Sequence, residues 1–312
     1  VAVLTRDTRD PELESKSIPG WLKKLVDPRI STSFDYTYSG KVSFANDESG
    51  TRVSAGVKMV GPGYTSLGAP NVRTDQLGFE GKVDQKLFER RVSVGVFVKR
   101  YRDNLIKWKP ATTTTTAYGV SLGFNFRNLP FLRLGFTPYF QKSDAVDPRR
   151  AVDNRTMMYS VTTGYTTRIE EIVSSSTVSY NRQVAKGLSP ANYFGTTSIT
   201  IVEALSFPFP LTVSGTYGLT QSKAPGLYSG IVTVDINGSY QWTDGIQTSL
   251  GGGAGVEKNR NKKVSFYAGS MLELFQGCSL DVRGEHASYT DRHSSVNNFN
   301  ELIFQAALMV TW

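Results

Sequence analysis

The chain has 312 residues, 39% hydrophobic and 20% charged, with 29 Gly, 13 Pro and a single Cys. No stretch reaches the roughly 18 consecutive apolar residues of a membrane helix, so helical spans are excluded. Cys278 stands alone, which excludes an intramolecular disulfide and a cysteine-built metal site. The net charge of +8 comes from Lys and Arg scattered singly, without the basic stripe or helix that would mark a nucleic-acid binder, so no nucleic-acid partner is expected.

The length would suit two soluble domains, but all-β barrels run this long as one unit. A mean hydropathy of -0.26 does not oppose a membrane barrel, whose strands meet lipid only at every second residue. The start, VAVLTRDTRD, lacks the basic segment and apolar run of an export signal. The expectation is that a leader has been removed or that the chain begins inside a longer one. Val1 to Arg6 reads as the stub of a strand and Ser15 to Arg29 as an external loop. Within that loop Trp21, Leu22, Leu25 and Val26 are spaced for one amphipathic turn of helix at the interface or the barrel mouth. Residues 1–29 are thus a partial strand, a loop and a short helix, and 30–312 the barrel.

From Ile30 the even positions are Ile30, Thr32, Phe34, Tyr36, Tyr38, Gly40, Val42 and Phe44. Between them stand Ser31, Ser33, Asp35, Thr37, Ser39, Lys41 and Ser43. A period of two predicts a strand with an oily and a wet face. The same alternation returns at Val92 to Val98, Tyr118 to Phe126, Met157 to Ile169, Phe209 to Leu219, Tyr228 to Trp242, Ile246 to Val256 and Leu302 to Trp312. About fifteen such segments occur, most as long as the roughly 9–11 residues that cross a bilayer at a tilt. Soluble sandwich strands are nearer 5–6 residues.

Short turns are predicted near Gln85 to Glu89, Arg127 to Pro130, Ile169 to Ile172, Ser206 to Pro208, Trp242 to Gly245 and Leu274 to Gly277. Longer polar links are predicted at Gly61 to Thr74, Asp103 to Ala111, Lys142 to Asn154, Val184 to Asn192, Ser222 to Leu227, Glu257 to Lys262 and Thr290 to Asn298. Tight periplasmic turns alternating with longer external loops are the habit of bacterial membrane barrels, and Trp312 supplies an aromatic terminus at the periplasmic edge. The fold expected is a transmembrane antiparallel β-barrel of about 16 strands, or 14 if a weak segment is misread, in the bacterial outer membrane.

Catalytic signals are weak, and no enzyme activity or cofactor is expected. His286 shares a face with Leu280 and Val282, an interfacial position. His293 lies in Thr290-Asp291-Arg292-His293-Ser294-Ser295, where neighbours one or two apart seldom hold a nucleophile–base hydrogen bond. Glu170-Glu171 sits in a tight turn. Gly251-Gly252-Gly253 lies inside a strand with no helix after it, so it is not a phosphate loop but permits close packing or a bend.

The stronger candidates are charges on the polar faces. Lys41, Lys58, Lys82, Lys99, Arg133, Arg168 and Arg283, with Glu80, Asp84, Asp235, Glu273, Asp281 and Glu285, fall opposite apolar positions and should line the lumen. There they would either set a transverse field across a pore or act as salt-bridged struts.

Three stretches carry a resemblance: GPGYTSLGAPNVRTDQ from Gly61, RYRDNLIKWKPATTTTTAYGV from Arg100 and NLPFLRLGFTPYFQ from Asn128. Together they resemble the membrane-barrel portion of large outer-membrane proteins of Bacteroidota. The resemblance implies a place beside that phylum's secretion or uptake machinery, and it carries over no catalytic residue. Gly63, Tyr64, Ser66, Leu67, Gly68 and Pro70 are expected to shape a structured external loop. Two functions follow from these readings. One is a docking subunit of an envelope assembly with a partly filled lumen, whose partners are lipid and other outer-membrane or periplasmic proteins. The other is a porin-like channel for solutes or polypeptide.

Overall fold

The computed structural model describes residues 2–5, 32–64, 73–258 and 260–310. Its strands are β1 (Ala2–Thr5), β2 (Thr32–Asp35), β3 (Thr37–Asn46), β4 (Thr51–Val60), β5 (Gln76–Leu87), β6 (Val92–Asp103), β7 (Thr113–Phe124), β8 (Phe131–Ser143) and β9 (Asp153–Ile169). They continue with β10 (Ile172–Lys186), β11 (Phe194–Ser206), β12 (Leu211–Ala224), β13 (Leu227–Thr243), β14 (Ile246–Glu257), β15 (Asn261–Phe275), β16 (Cys278–Asp291) and β17 (Phe299–Val310). Strands β3 to β17 follow one another in a single 15-stranded sheet, and β1 pairs with β2 separately. The fold is therefore all-β and antiparallel, with a strand number near the 16 expected.

The strand expected to run unbroken from Ile30 is interrupted at Tyr36, between β2 and β3. At the break the Asp35 carboxylate accepts hydrogen bonds from the Tyr36 amide at 2.7 Å and the Gly63 amide at 2.5 Å. Ala2–Thr5 pairs antiparallel with Thr32–Asp35, Ala2 opposite Asp35. The helical turn expected at Trp21 to Val26 lies outside the described residues.

Connections at one end are tight: Glu170-Glu171, Asp244-Gly245 and Gln276-Gly277 each join two strands with two residues. Glu170 and Gly277 take the positive φ that such turns need. At the other end β4–β5, β6–β7, β8–β9, β10–β11 and β16–β17 are joined by longer links. Two links expected to be long are not. Ser222 to Leu227 is mostly strand, closing on Pro225-Gly226, where Gly226 has φ +72°; Glu257 to Lys262 closes on 258–260. Polar composition marked these as loops, but a strand whose polar side faces water needs no apolar residue there.

The chain divides into two compact units, Val1–Leu87 with Val94–Val120 and Thr137–Arg155, and Phe88–Ser93 with Ser121–Phe136 and Thr156–Trp312. In the first, register sets Tyr38, Met59 and Leu77 in one row, then Gly40, Val57 and Phe79, then Phe44, Val53 and Val83. The opposite face holds Ser39, Lys58 and Gly78, then Lys41, Gly56 and Glu80, then Ser43, Ser54 and Lys82. In the second unit Ile236, Gly252, Phe266, His286 and Leu302 make an apolar row, while Asn237, Gly251, Tyr267 and Glu285 make a polar one.

Almost nothing apolar is covered by protein. Among the described residues the buried apolar side chains are Val60, Pro138, Cys278 and Ala287, whereas Val42 is 77% exposed and Phe304 75%. A water-soluble chain with strands of 10 to 17 residues would bury its oily face against a second layer. This sheet leaves that face bare along every strand, which is stable only against lipid.

Candidate functional site

Within each unit, register and contacts show which of the expected wall charges share a face. In the first unit Lys41, Lys58, Glu80, Lys82 and Asp84 share the polar face. Lys82 Nζ meets Asp84 at 2.7 Å, and Lys99 reaches Glu80 at 3.9 Å, so Lys99 shares that face. Gly56 leaves the space that Glu80 occupies. These pairs are about half exposed, so each adds about 0–1 kcal/mol. Their role is electrostatic patterning more than stability.

The second unit carries a tighter network. Tyr267 donates to Asn237 Oδ1 at 2.7 Å, the Arg283 guanidinium stacks 4.1 Å from the Tyr267 ring, and Arg283 pairs with Glu285 at 3.1 Å. The network needs the glycine run. A Cβ at Gly251 would lie 2.4 Å from Asn237 Oδ1 and 2.5 Å from the Tyr267 ring, and one at Gly253 2.0 Å from Asp235. The Gly251-Gly252-Gly253 run is thus a packing device that lets long polar side chains lie across β14. Asp235, Glu273 and Asp281 share this face. Arg133 lies 5.3 Å from the Phe131 ring. Arg168 follows Thr166, whose hydroxyl meets Ser175, by two residues and so joins the polar face.

The most organised cluster lies in the links and escapes the charge pattern. Asp75 ends the β4–β5 link and is 2% exposed. Its carboxylate accepts from the Leu105 amide at 2.8 Å, the Asn104 amide at 3.2 Å and the Trp108 indole at 3.2 Å, and pairs with Lys109 at 2.6 Å. Lys109 also reaches Asp103 at 3.4 Å. Asn104 clamps the same loop, accepting from the Lys109 amide at 2.9 Å and donating to its carbonyl at 3.0 Å. The Asp75 amide donates to the Gly61 carbonyl at 3.1 Å, closing the base of the 61–75 link. A Cβ at Gly61 would overlap the Asp35 carboxylate, so any larger residue there would displace that side chain.

Burial pushes the Asp75 carboxyl up, but Lys109, the Leu105 amide and the Trp108 indole outweigh it and hold it below the usual aspartate range. Burial likewise disfavours charged Lys109, and Asp75 and Asp103 more than compensate, raising it. The lock is therefore ionic at neutral pH. It displays Ile106, 65% exposed, and Trp108, 63% exposed, on a loop fixed at both ends.

Of the residues expected to shape the external loop, Gly63 and Tyr64 are placed at its base, Gly63 on Asp35 and Tyr64 donating to Gly61. Ser66, Leu67, Gly68 and Pro70 lie outside the described residues. Asp75, Asn104, Trp108 and Lys109 are what charge alternation passes over. Their signal was local: Asp and Asn at strand ends tolerate positive φ, and Asp75 and Asn104 have φ of 56° and 59°. The Asp291 carboxylate serves its loop, accepting from the His293 amide at 2.8 Å and from Asn297 at 2.9 Å. His286 lies in the apolar row with Phe266 and Leu302.

Strand length, an apolar face left bare and tight turns at one end define a transmembrane β-barrel of the outer-membrane class. The solved structures similar to it belong to that class. The FpvAI–pyocin S2 complex matches with a TM-score of 0.55 and 11% identity over 86% of this chain and 50% of that one. The ferric-catecholate import receptor Fiu from E. coli K12 matches with a TM-score of 0.54 and 9% identity, over 88% and 63%. The alcaligin outer-membrane receptor FauA from Bordetella pertussis gives 0.50 and 12%, over 82% and 52%. The chain thus spans about half to three-fifths of the length of these structures. No protein-family model and no curated protein sequence matches it.

Proposed function

We propose that this chain is the β-barrel of a docking subunit in a multi-protein assembly of the bacterial outer membrane, with its polar face lining a partly filled lumen. The observation that carries the reading is the Asp75 lock. A loop that only had to avoid water-exposed apolar groups would not hold Ile106 and Trp108 outward on a part-buried ion pair. An aromatic side chain fixed in its exposed rotamer loses little entropy on binding, which is how interface anchors work. The residues of the lock fall in two of the stretches that resemble large Bacteroidota outer-membrane proteins, which favours a place beside secretion or uptake machinery. The test is purification from native membranes in mild detergent. Ile106→Ser with Trp108→Ser should release co-migrating proteins while the barrel keeps its fold; unchanged partners would overturn the docking role.

A channel or uptake role is the second reading. It is favoured by the small, polar side chains of the wall and by the similarity to import receptors. In planar bilayers, steady large openings would support it and silence would support a plugged docking subunit.

A further inference from the structure

Arg100 and Arg102 stand on the wrong face for lumen residues. Lys99 reaches Glu80, and Tyr101 fills the notch at Gly78, so the odd positions of β6 face the polar side. Arg100 and Arg102 therefore share the apolar side with Val96 and Val98. They line a cavity of about 410 Å³ together with Leu77 and Phe79, which belong to the apolar rows of β5. Both arginines are exposed, and among the described residues no carboxylate pairs with either. They lie in the last third of β6, toward the end with the longer links, which in such barrels faces outward.

We infer that this groove binds a phosphate-bearing lipid of the outer leaflet, its headgroup on Arg100 and Arg102 and an acyl chain along Leu77 and Phe79. The Cα atoms of residues i and i+2 on one strand face stand roughly 6.5–7 Å apart, a spacing from which two guanidiniums reach two phosphate oxygens or two phosphates. An unpaired cation on a lipid-facing wall is costly unless its charge is met there. The second unit follows the same polarity when read by itself. On its apolar side Arg182 lies near the longer β10–β11 link, and Lys223 and Lys262 lie at the same end of the sheet beside the short connections 225–226 and 258–260. The acid on that side, Glu203, lies toward the tight-turn end, held by the Ser174 and Ser176 hydroxyls. Cations at one rim and an acid at the other match a membrane whose outer leaflet carries the anionic headgroups.

The inference rests on the membrane reading of the wall, and the experiment separates the two. The purified chain in neutral detergent is titrated with a bis-phosphorylated glycolipid, its dephosphorylated form and phosphatidylglycerol, with bound lipid counted by native mass spectrometry. Arg100→Gln with Arg102→Gln should weaken the bis-phosphorylated lipid roughly 30-fold and leave the dephosphorylated form unchanged. Arg100→Lys with Arg102→Lys should retain most of the binding, and Arg52→Gln, at the tight-turn end of the polar face, all of it. Equal loss for phosphatidylglycerol would assign the site to anionic phospholipid in general. Undiminished binding by the double Gln variant, with normal insertion into liposomes, would overturn the site; failure of the parent chain to insert would overturn the membrane reading instead.

Discussion

Asp75 has the largest consequences of any single side chain here, because four donors from one loop converge on its carboxylate. Asp75→Ala removes the acceptor and leaves Lys109 part-buried without its nearest partner, which should cost the loop about 2–4 kcal/mol of local stability. The measurement is amide exchange at Leu105 and Lys109, which should rise together, with tryptic cleavage after Lys107 appearing at the same time. The lock also depends on pH. Asp75 is held below its unfolded value, so its contribution is complete above the usual aspartate range, about 3.9, and is lost as pH falls through the lower folded value. Lys109 is raised, so its share is complete below the usual lysine range and lost only in strong alkali. Trp108 emission, with a Trp108→Phe variant subtracted, should stay constant through the neutral range and change only in acid below about pH 4; a transition near pH 6 would contradict the assignment.

Among the strands, β14 and β11 each solve a local problem. On β14, glycine lets polar side chains from β13 and β15 lie across the strand on one face. Gly253→Val would drive a side chain into Asp235 and should cost at least about 1–3 kcal/mol from overpacking. Heat-dependent gel mobility after refolding would read this as a smaller folded fraction. On β11, Glu203 stands on the apolar side among Ile199, Ile201 and Leu205, tolerated because Ser174 donates at 2.5 Å and Ser176 donates as well. Ser174→Ala with Ser176→Ala should destabilise the wall by about 1–3 kcal/mol by stranding a carboxylate. Adding Glu203→Leu should recover most of that loss in urea unfolding from liposomes. A triple variant no better than the double would mean that the hydroxyls act through packing rather than through the acid.

At the scale of the whole molecule, most of the wall was legible from period-two patterning, because lipid on one side and water on the other impose opposite demands on adjacent residues. Tyr38, Val57 and Phe79, or Ile236, Phe266 and Leu302, fall on one face for that reason alone. Patterning also placed Lys41, Glu80, Lys82 and Arg283 on the other face, yet not who meets whom: Lys82 finds Asp84, and Arg283 finds both Glu285 and Tyr267. It misread Ser222 to Leu227 as a loop, since polar residues are equally at home in a strand's wet face. The alternation of β6 also contained the displaced pair Arg100 and Arg102, but a basic residue among valines acquires meaning only when Leu77 and Phe79 are seen beside it. The sequence by itself determined the strand pattern, the antiparallel wall and its two-sided chemistry, since these follow from residues near one another in the chain. Tertiary structure alone decided the lock on Asp75, the glycine passage for Tyr267 and the arginine groove. Each depends on partners about 15 to 35 residues apart in sequence that only pairing across strands and links brings within a few ångströms.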